Sequence, residues 1–177
     1  MKKIILIIFI ALIATSCSVN KKSPRKAIEK YFSNYQKLNK SALENIDLLV
    51  DNESSLNSKQ KKQYREILKN HYKSLKYEIK KEKIINDKAF VSIEIKVNNN
   101  IKVLKESDYK MNNFIDNNGN FLIEEFNNYK IDKLKKEKSK IKYKMIFNLH
   151  VKSNNWVIDN ITKENQEKLL GIYDICI

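Results

Sequence analysis

Glycine and proline are nearly missing from this chain, with two and one in 177 residues. Long flexible linkers are therefore excluded, because they draw on those residues. Only two cysteines, Cys17 and Cys176, and two histidines, His71 and His150, are present. Two isolated histidines without a cysteine cluster do not form a zinc site. The glycine-rich fingerprints of phosphate loops and dinucleotide sites are absent, as is a nucleophile elbow. The one long apolar run, Ile4 to Ile13, has ten residues. A membrane-spanning helix needs about 20. There is no internal repeat.

What stands at the N-terminus is a three-part pattern. Met1-Lys2-Lys3 is positive, Ile4 to Ile13 is pure hydrocarbon, and Ala14-Thr15-Ser16 is small, with Cys17 next. This is the layout of a secretory signal. The stretch Leu12-Ile13-Ala14-Thr15-Ser16-Cys17 resembles a bacterial lipobox, although Ala14 stands where that pattern prefers leucine. The resemblance implies cleavage between Ser16 and Cys17 and a diacylglycerol on the Cys17 sulfur. Each buried methylene contributes about 0.8 kcal/mol, and a single chain holds only marginally, so two chains make a durable anchor. The expected location is the outer face of a bacterial cytoplasmic membrane. An acylated Cys17 leaves Cys176 without a disulfide partner in the chain, so the fold rests on its hydrophobic core.

Positive charge dominates: 35 basic against 21 acidic side chains, a formal net +14. Removing residues 1–16 takes out Lys2 and Lys3 and no acid, which leaves 33 basic and 21 acidic groups, a net +12. The basic residues are almost all lysine, in a chain equally rich in asparagine and isoleucine. AT-rich codons account for much of that enrichment. Export argues against nucleic acid as the partner. Anionic lipid headgroups or wall polymers are the expected anionic partners.

Periodicity then assigns the elements. Ser23-Pro24 opens a helix with a cap and a first-turn proline, and Ala27, Ile28, Tyr31, Phe32, Tyr35 and Leu38 follow at helical spacing. Ser41-Ala42-Leu43-Glu44 reads as a capping box for a second helix. Ser58 reads as the cap of a third, with Tyr64, Ile67, Leu68, His71 and Tyr72 on one face. The period then becomes two. Leu75, Tyr77 and Ile79, and after Asn86-Asp87-Lys88 the set Ala89, Val91, Ile93, Ile95 and Val97, describe a hairpin with one buried face. Two helical pieces are expected up to about Lys138. One carries Tyr109, Met111, Phe114 and Ile115; the other carries Phe121, Leu122, Phe126, Tyr129 and Leu134. Asp116-Asn117-Asn118-Gly119 separates them and is no calcium loop, because Phe114 falls where the first carboxylate is required. A second hairpin runs from Ile141 to Val151 and back through Trp156-Val157-Ile158. Thr162 caps a last helix stopped by Gly171.

The expected fold is α+β: N-terminal helices packed on a curved antiparallel sheet of two hairpins, with a helical insertion between the hairpins. Residues 1–16 are the signal, 17–23 the lipidated cysteine and tether, and 24–177 one domain. The order, with "YEIKKEKIINDKAFVSIEIKVNN" and "MIFNLHVKSNNWVIDN" leading to "NQEKLLGI", resembles the nuclear transport factor 2-like fold. It is similar to the small exported lipoproteins of low-GC Gram-positive bacteria. That resemblance implies a cone between sheet and helices, with Tyr31, Tyr35, Tyr64, His71, Tyr77 and Tyr143 on the faces that would line it. Some relatives use the cone for isomerase or dehydratase chemistry. Here the inward strand positions carry no carboxylate, so no general base is evident. A non-catalytic binding or interaction module is the expected role, with no catalytic residue, metal or cofactor and with the protein partner undefined. His71 reads as a core-edge histidine with one hydrogen bond, and His150 as solvated. Trp156, the single tryptophan, is expected to anchor the core. Lys142, Lys144 and Lys152 share the solvent side of their strand with His150, as Lys76 and Lys80 do with Glu78, and form a candidate anionic-surface face.

Replacement of Cys17 by Ala is expected to release the protein from the membrane fraction. Mass spectrometry of the N-terminal peptide from native membranes should show Cys17 acylated. An unmodified Cys17 contradicts the lipobox.

Overall fold

The computed structural model describes residues 23–175. Cys17, its cleavage site and Cys176 lie outside the described residues. Among the described residues, six α-helices and a four-stranded antiparallel sheet make an α+β domain. Helices α1 (Pro24–Gln36), α2 (Lys40–Asp51) and α3 (Ser58–Ser74) come first. The hairpin β1 (Lys76–Ile85) and β2 (Lys88–Asn98) follows. Next come α4 (Asn100–Tyr109), a 3-10 turn at Met111–Phe114 and α5 (Ile123–Lys136). The hairpin β3 (Lys140–Lys152) and β4 (Asn155–Ile158) precedes α6 (Lys163–Leu170). The sheet order is β1-β2-β3-β4, so the helical insertion joins two adjacent strands.

Asparagine does much of the local work. Ser23 caps α1 as its sequence suggests. At α2, however, Leu38 turns the chain with φ 50°, and extended Asn39 accepts from Ala42 N at 3.0 Å. Ser41 therefore already lies inside the helix. At α3 the cap is Asn57, not Ser58. Asn57 Oδ1 accepts from Gln60 N and Gln60 Oε1 accepts from Asn57 N, at 2.9 and 3.0 Å. The same Gln60, 1% exposed, donates to Glu124 O and Asn128 Oδ1 on α5, so this cap also joins two helices. In the β3–β4 turn Ser153 and Asn154 have φ of 49° and 60°, the left-handed pair that a two-residue hairpin loop requires.

Alternation decides which sheet face is buried. Val91, Ile93, Ile95 and Val97 of β2 and Tyr143, Met145, Phe147 and Leu149 of β3 face the helices. They meet Ile28 and Phe32 of α1, Ile46 and Val50 of α2, and Leu68 and Tyr72 of α3. Trp156 joins them at 9% exposure. A second cluster, Leu56, Ile67, Val103, Ile131 and Leu134, binds α3, α4 and α5. The insertion departs from the sequence reading. In α4 the buried face is Val103 with Ser107, while Tyr109 is 90% exposed and Met111 and Ile115 are also exposed. These residues serve the connection to α5, where Ile115 bridges Phe121 across the Asp116–Asn120 turn.

The end of α6 docks on the domain through three consecutive carbonyls. Leu169 O accepts from His71 Nε2 at 2.7 Å, Leu170 O from Asn100 Nδ2 at 2.8 Å and Gly171 O from Ile101 N at 2.8 Å. Such carbonyls have no partner within their own helix. The first turn of α4 likewise has no side-chain cap, so each helix end satisfies the other. Gly171 makes the approach possible: its φ is 71°, and a β-carbon there would stand 2.0 Å from Asn98 O.

Gly171→Ala is therefore expected to cost at least about 2 kcal/mol, above the strain of a left-handed non-glycine residue. Gly119→Ala is the matched control. Its φ is 84° but nothing lies within 4 Å, so only the strain of about 1 kcal/mol remains. Urea unfolding of the two variants tests this; equal losses would show that the Asn98 contact is slack.

Candidate functional site: the uncovered sheet face

The outer face of the sheet is the largest functional candidate. Among the described residues no element covers it. Register brings residues of one face into rows across the strands. Lys76 pairs with Lys96, and Lys96 with Lys142. In the next row Glu78 opposes Glu94, which opposes Lys144. Further along come Lys81, Ser92 and Ile146, then Lys83, Phe90 and Asn148. Like charges directly opposite on a sheet are destabilising. A row of three lysines is thus a cost that the fold carries.

The charges there respond to one another. Lys142 Nζ lies 2.8 Å from Glu94 Oε1, and that hydrogen bond holds the Glu94 carboxyl below the usual range. Lys80 pairs with Glu78 at 2.5 Å. Lys140 sits at the same end of the sheet, donating to Ser74 Oγ and Asn98 Oδ1. Partial burial lowers its ammonium pKa, and Lys96, Lys76 and Lys138 lower it further. Among the described residues Lys76 and Lys96 form no ion pair.

The expected face is therefore rearranged. Lys142 and Lys144 lie at the Lys76–Lys96 end, joined by Lys140. Lys152 stands ten residues further along β3, about 33 Å away at about 3.3 Å per residue. His150, beside Lys88 in the register, is half-exposed and pairs with Asp159 at 2.5 Å. Apolar Phe90, Ile146 and Val157 occupy the ground between the two ends and are exposed.

The six candidate cone residues are not brought to one place. Tyr31 and Tyr35 line a cavity of about 190 Å³ between α1, α2 and α6, with their rings 5.1 Å apart. Burial raises the Tyr31 hydroxyl far above the ordinary value, so it holds its proton. Tyr64 lines a different cavity, and burial pushes it up to about 12. Tyr77 stacks on Phe32 at 4.4 Å and Tyr143 donates to Tyr173 O at 2.7 Å. Neither lines either cavity.

His71 is no core-edge residue. It is 0% exposed, with two polar partners rather than one. Nε2–H donates to Leu169 O, and Nδ1 faces Asn100 Nδ2 at 3.3 Å. Nδ1 must therefore be unprotonated, and burial lowers the ring pKa to about 4 despite the Leu169 bond. Asn100, the partner, carries no signal in a chain so rich in asparagine. Asp116 accepts from Asn118 N and Asn120 N, which occupies the carboxylate with its own turn. Among the described residues no three histidine, cysteine or acidic side chains are placed to hold a metal, and no helix is long and apolar enough to cross a membrane.

No family model, curated protein or solved structure matches the chain.

His71 makes stability depend on pH. Its folded pKa lies below the unfolded 6.5, so the unfolded chain takes up the proton first as pH falls. The contribution is full above about 6.5 and lost as pH falls toward about 4. A shift of that size corresponds to about 3 kcal/mol. Urea unfolding from pH 7 to 4 should show a steeper loss in wild type than in His71→Gln. Equal slopes would place the titration elsewhere.

Proposed function

We propose that this chain is an extracytoplasmic lipoprotein, held through Cys17 on the outer face of a bacterial membrane. Its domain, of nuclear transport factor 2-like type, is a non-catalytic module that binds an anionic surface. The observation that carries this reading is the Lys76–Lys96–Lys142 row on an uncovered sheet face. The row costs stability when the face is free, and an anion laid across it removes that cost. Each lysine near an acidic headgroup adds about 1 kcal/mol of attraction. Phosphate groups of lipids and of wall polymers share this chemistry. The non-catalytic part rests on the titratable groups. Glu94 is tied to a lysine, and His71 is sealed in the core with both nitrogens engaged. Neither is poised to exchange a proton with a substrate.

The domain from Ser18 to Ile177 should float with vesicles containing phosphatidylglycerol at low salt and dissociate near 0.15 M, where the screening length is about 8 Å. Lys76, Lys96 and Lys142 replaced together by Gln should abolish most of that binding. The same charge change at exposed Lys26 and Lys30 on α1 and Lys37 just beyond its end should leave it nearly intact. Soluble poly(glycerol phosphate) competes fully if the polymer is the preferred source of phosphate. Equal losses in the two triple variants, or equal binding to neutral vesicles, would reduce the effect to net charge.

A further inference from the structure

Beyond the Lys76–Lys96–Lys142 and Glu78–Glu94–Lys144 rows the outer sheet face changes character. Each of the four strands places one large apolar side chain there: Ile85 of β1, Phe90 of β2, Ile146 of β3 and Val157 of β4. Register fixes the side. Ile85 pairs with Lys88, Lys88 with His150 and His150 with Val157, while Phe90 pairs with Lys83 and Asn148. Phe90 is therefore diagonal to both Ile85 and Ile146. Such neighbours stand about 7–8 Å apart, within reach of an aromatic side chain. All four apolar residues are exposed, Ile146 at 60%.

Lysines surround this patch. Lys81, Lys83, Lys88 and Lys152 lie on the same face. Among the described residues none of them forms an ion pair. No strand position on this part of the face holds a carboxylate, and Asp159, just past β4, is paired with His150. The acids of the outer face, Glu78 and Glu94, belong to the other end, where they pair with Lys80 and Lys142.

Apolar side chains among uncompensated cations fit one kind of surface. A wall polymer offers phosphates but no hydrocarbon, and would leave the four apolar side chains in water. An anionic bilayer offers both, with acyl chain just below the phosphates. Lysine suits that boundary, since its aliphatic stem lies along apolar ground while the ammonium stays with the phosphates. We propose that this part of the sheet face inserts Ile85, Phe90, Ile146 and Val157 shallowly into the headgroup–acyl boundary of an anionic bilayer. The insertion rests on the anchored, anion-binding reading above and specifies its surface as lipid. Four side chains suffice because a tethered face meets the bilayer at high effective concentration. Insertion of the anchored chain therefore persists at a salt concentration that releases the free domain.

The full chain, isolated from native membranes, is reconstituted into phosphatidylglycerol vesicles at about 0.15 M salt. Phe90→Trp and Ile146→Trp each place a reporter on the patch. Leu48→Trp places one on exposed ground of α2, on the helical side of the sheet. Wild type, with its buried Trp156, sets the baseline. Lipids brominated near the top of the acyl chain quench an indole that enters the bilayer. Both patch reporters are expected to shift to the blue and to lose most of their added emission, and Leu48→Trp to lose none. Patch reporters that stay unquenched on vesicles still holding the protein would overturn the insertion and leave the anchored reading intact. A chain that does not stay with the vesicles fails the anchored reading first, and the insertion with it. Quenching that soluble poly(glycerol phosphate) reverses would give the face to the polymer and overturn the assignment to lipid.

Discussion

Three carbonyls in a row, those of Leu169, Leu170 and Gly171, hold this domain's last helix to its first half. An eight-residue helix has too little internal hydrogen bonding to persist alone. Its unpaired end must find donors elsewhere, and it finds them on α3, at Asn100 and in the uncapped first turn of α4. The exchange is economical, because α4 needs acceptors as much as α6 needs donors. It is also demanding. His71 has to stay neutral, Asn100 has to present its nitrogen, and residue 171 has to lack a side chain. The orientation of the Asn100 amide follows from the same arrangement.

The sheet divides the molecule's tasks. Its inner side chains and the first three helices make one continuous core. Its outer side has no partner among the described residues and holds the charge. That separation is what lets a lysine row exist at all: the strands are pinned by burial on the other side, so repulsion of like charges cannot slide their register. Slipping β2 by one residue would carry Val91, Ile93, Ile95 and Val97 into water.

Much of this was legible in the sequence where a pattern is local. Alternation in Ala89–Val97 and Ile141–Val151 marks both long strands, because every second residue is buried. Ser23-Pro24 and Thr162 with Gly171 mark the ends of α1 and α6 directly. Where asparagine is abundant, local signals mislead: Asn39 and Asn57 take the caps that Ser41 and Ser58 suggest. The insertion misleads too, since Tyr109, Met111 and Ile115 are apolar or aromatic and yet exposed. The candidate site divides in the same way. The side of the strand on which Lys142 and Lys144 lie follows from parity, but their union with Lys76 and Lys96 needs the register of three strands. The His71–Leu169 and Asn100–Leu170 contacts span 98 and 70 residues, a distance over which periodicity carries no information.

The two edges of the sheet have a bearing on life in a crowded layer. β1 is an edge strand of ten residues, long enough to recruit another chain, but its ladder is interrupted between Ile79 and Lys81 and it carries Lys76, Lys80, Lys81 and Lys83. At the opposite edge β4 is only four residues long and covers Leu149–Lys152 of β3, while beyond it Asn165 and Lys168 of α6 donate to the β3 carbonyls of Ile146 and Lys144. Interruption, charge and brevity are the devices by which sheets resist growing from molecule to molecule. Under the anchoring proposed at Cys17, copies would be concentrated in two dimensions and would meet edge to edge far more often than in solution. The irregular β1, the short β4 and the α6 side chains along β3 would then let many copies stand side by side without zipping into a fibre.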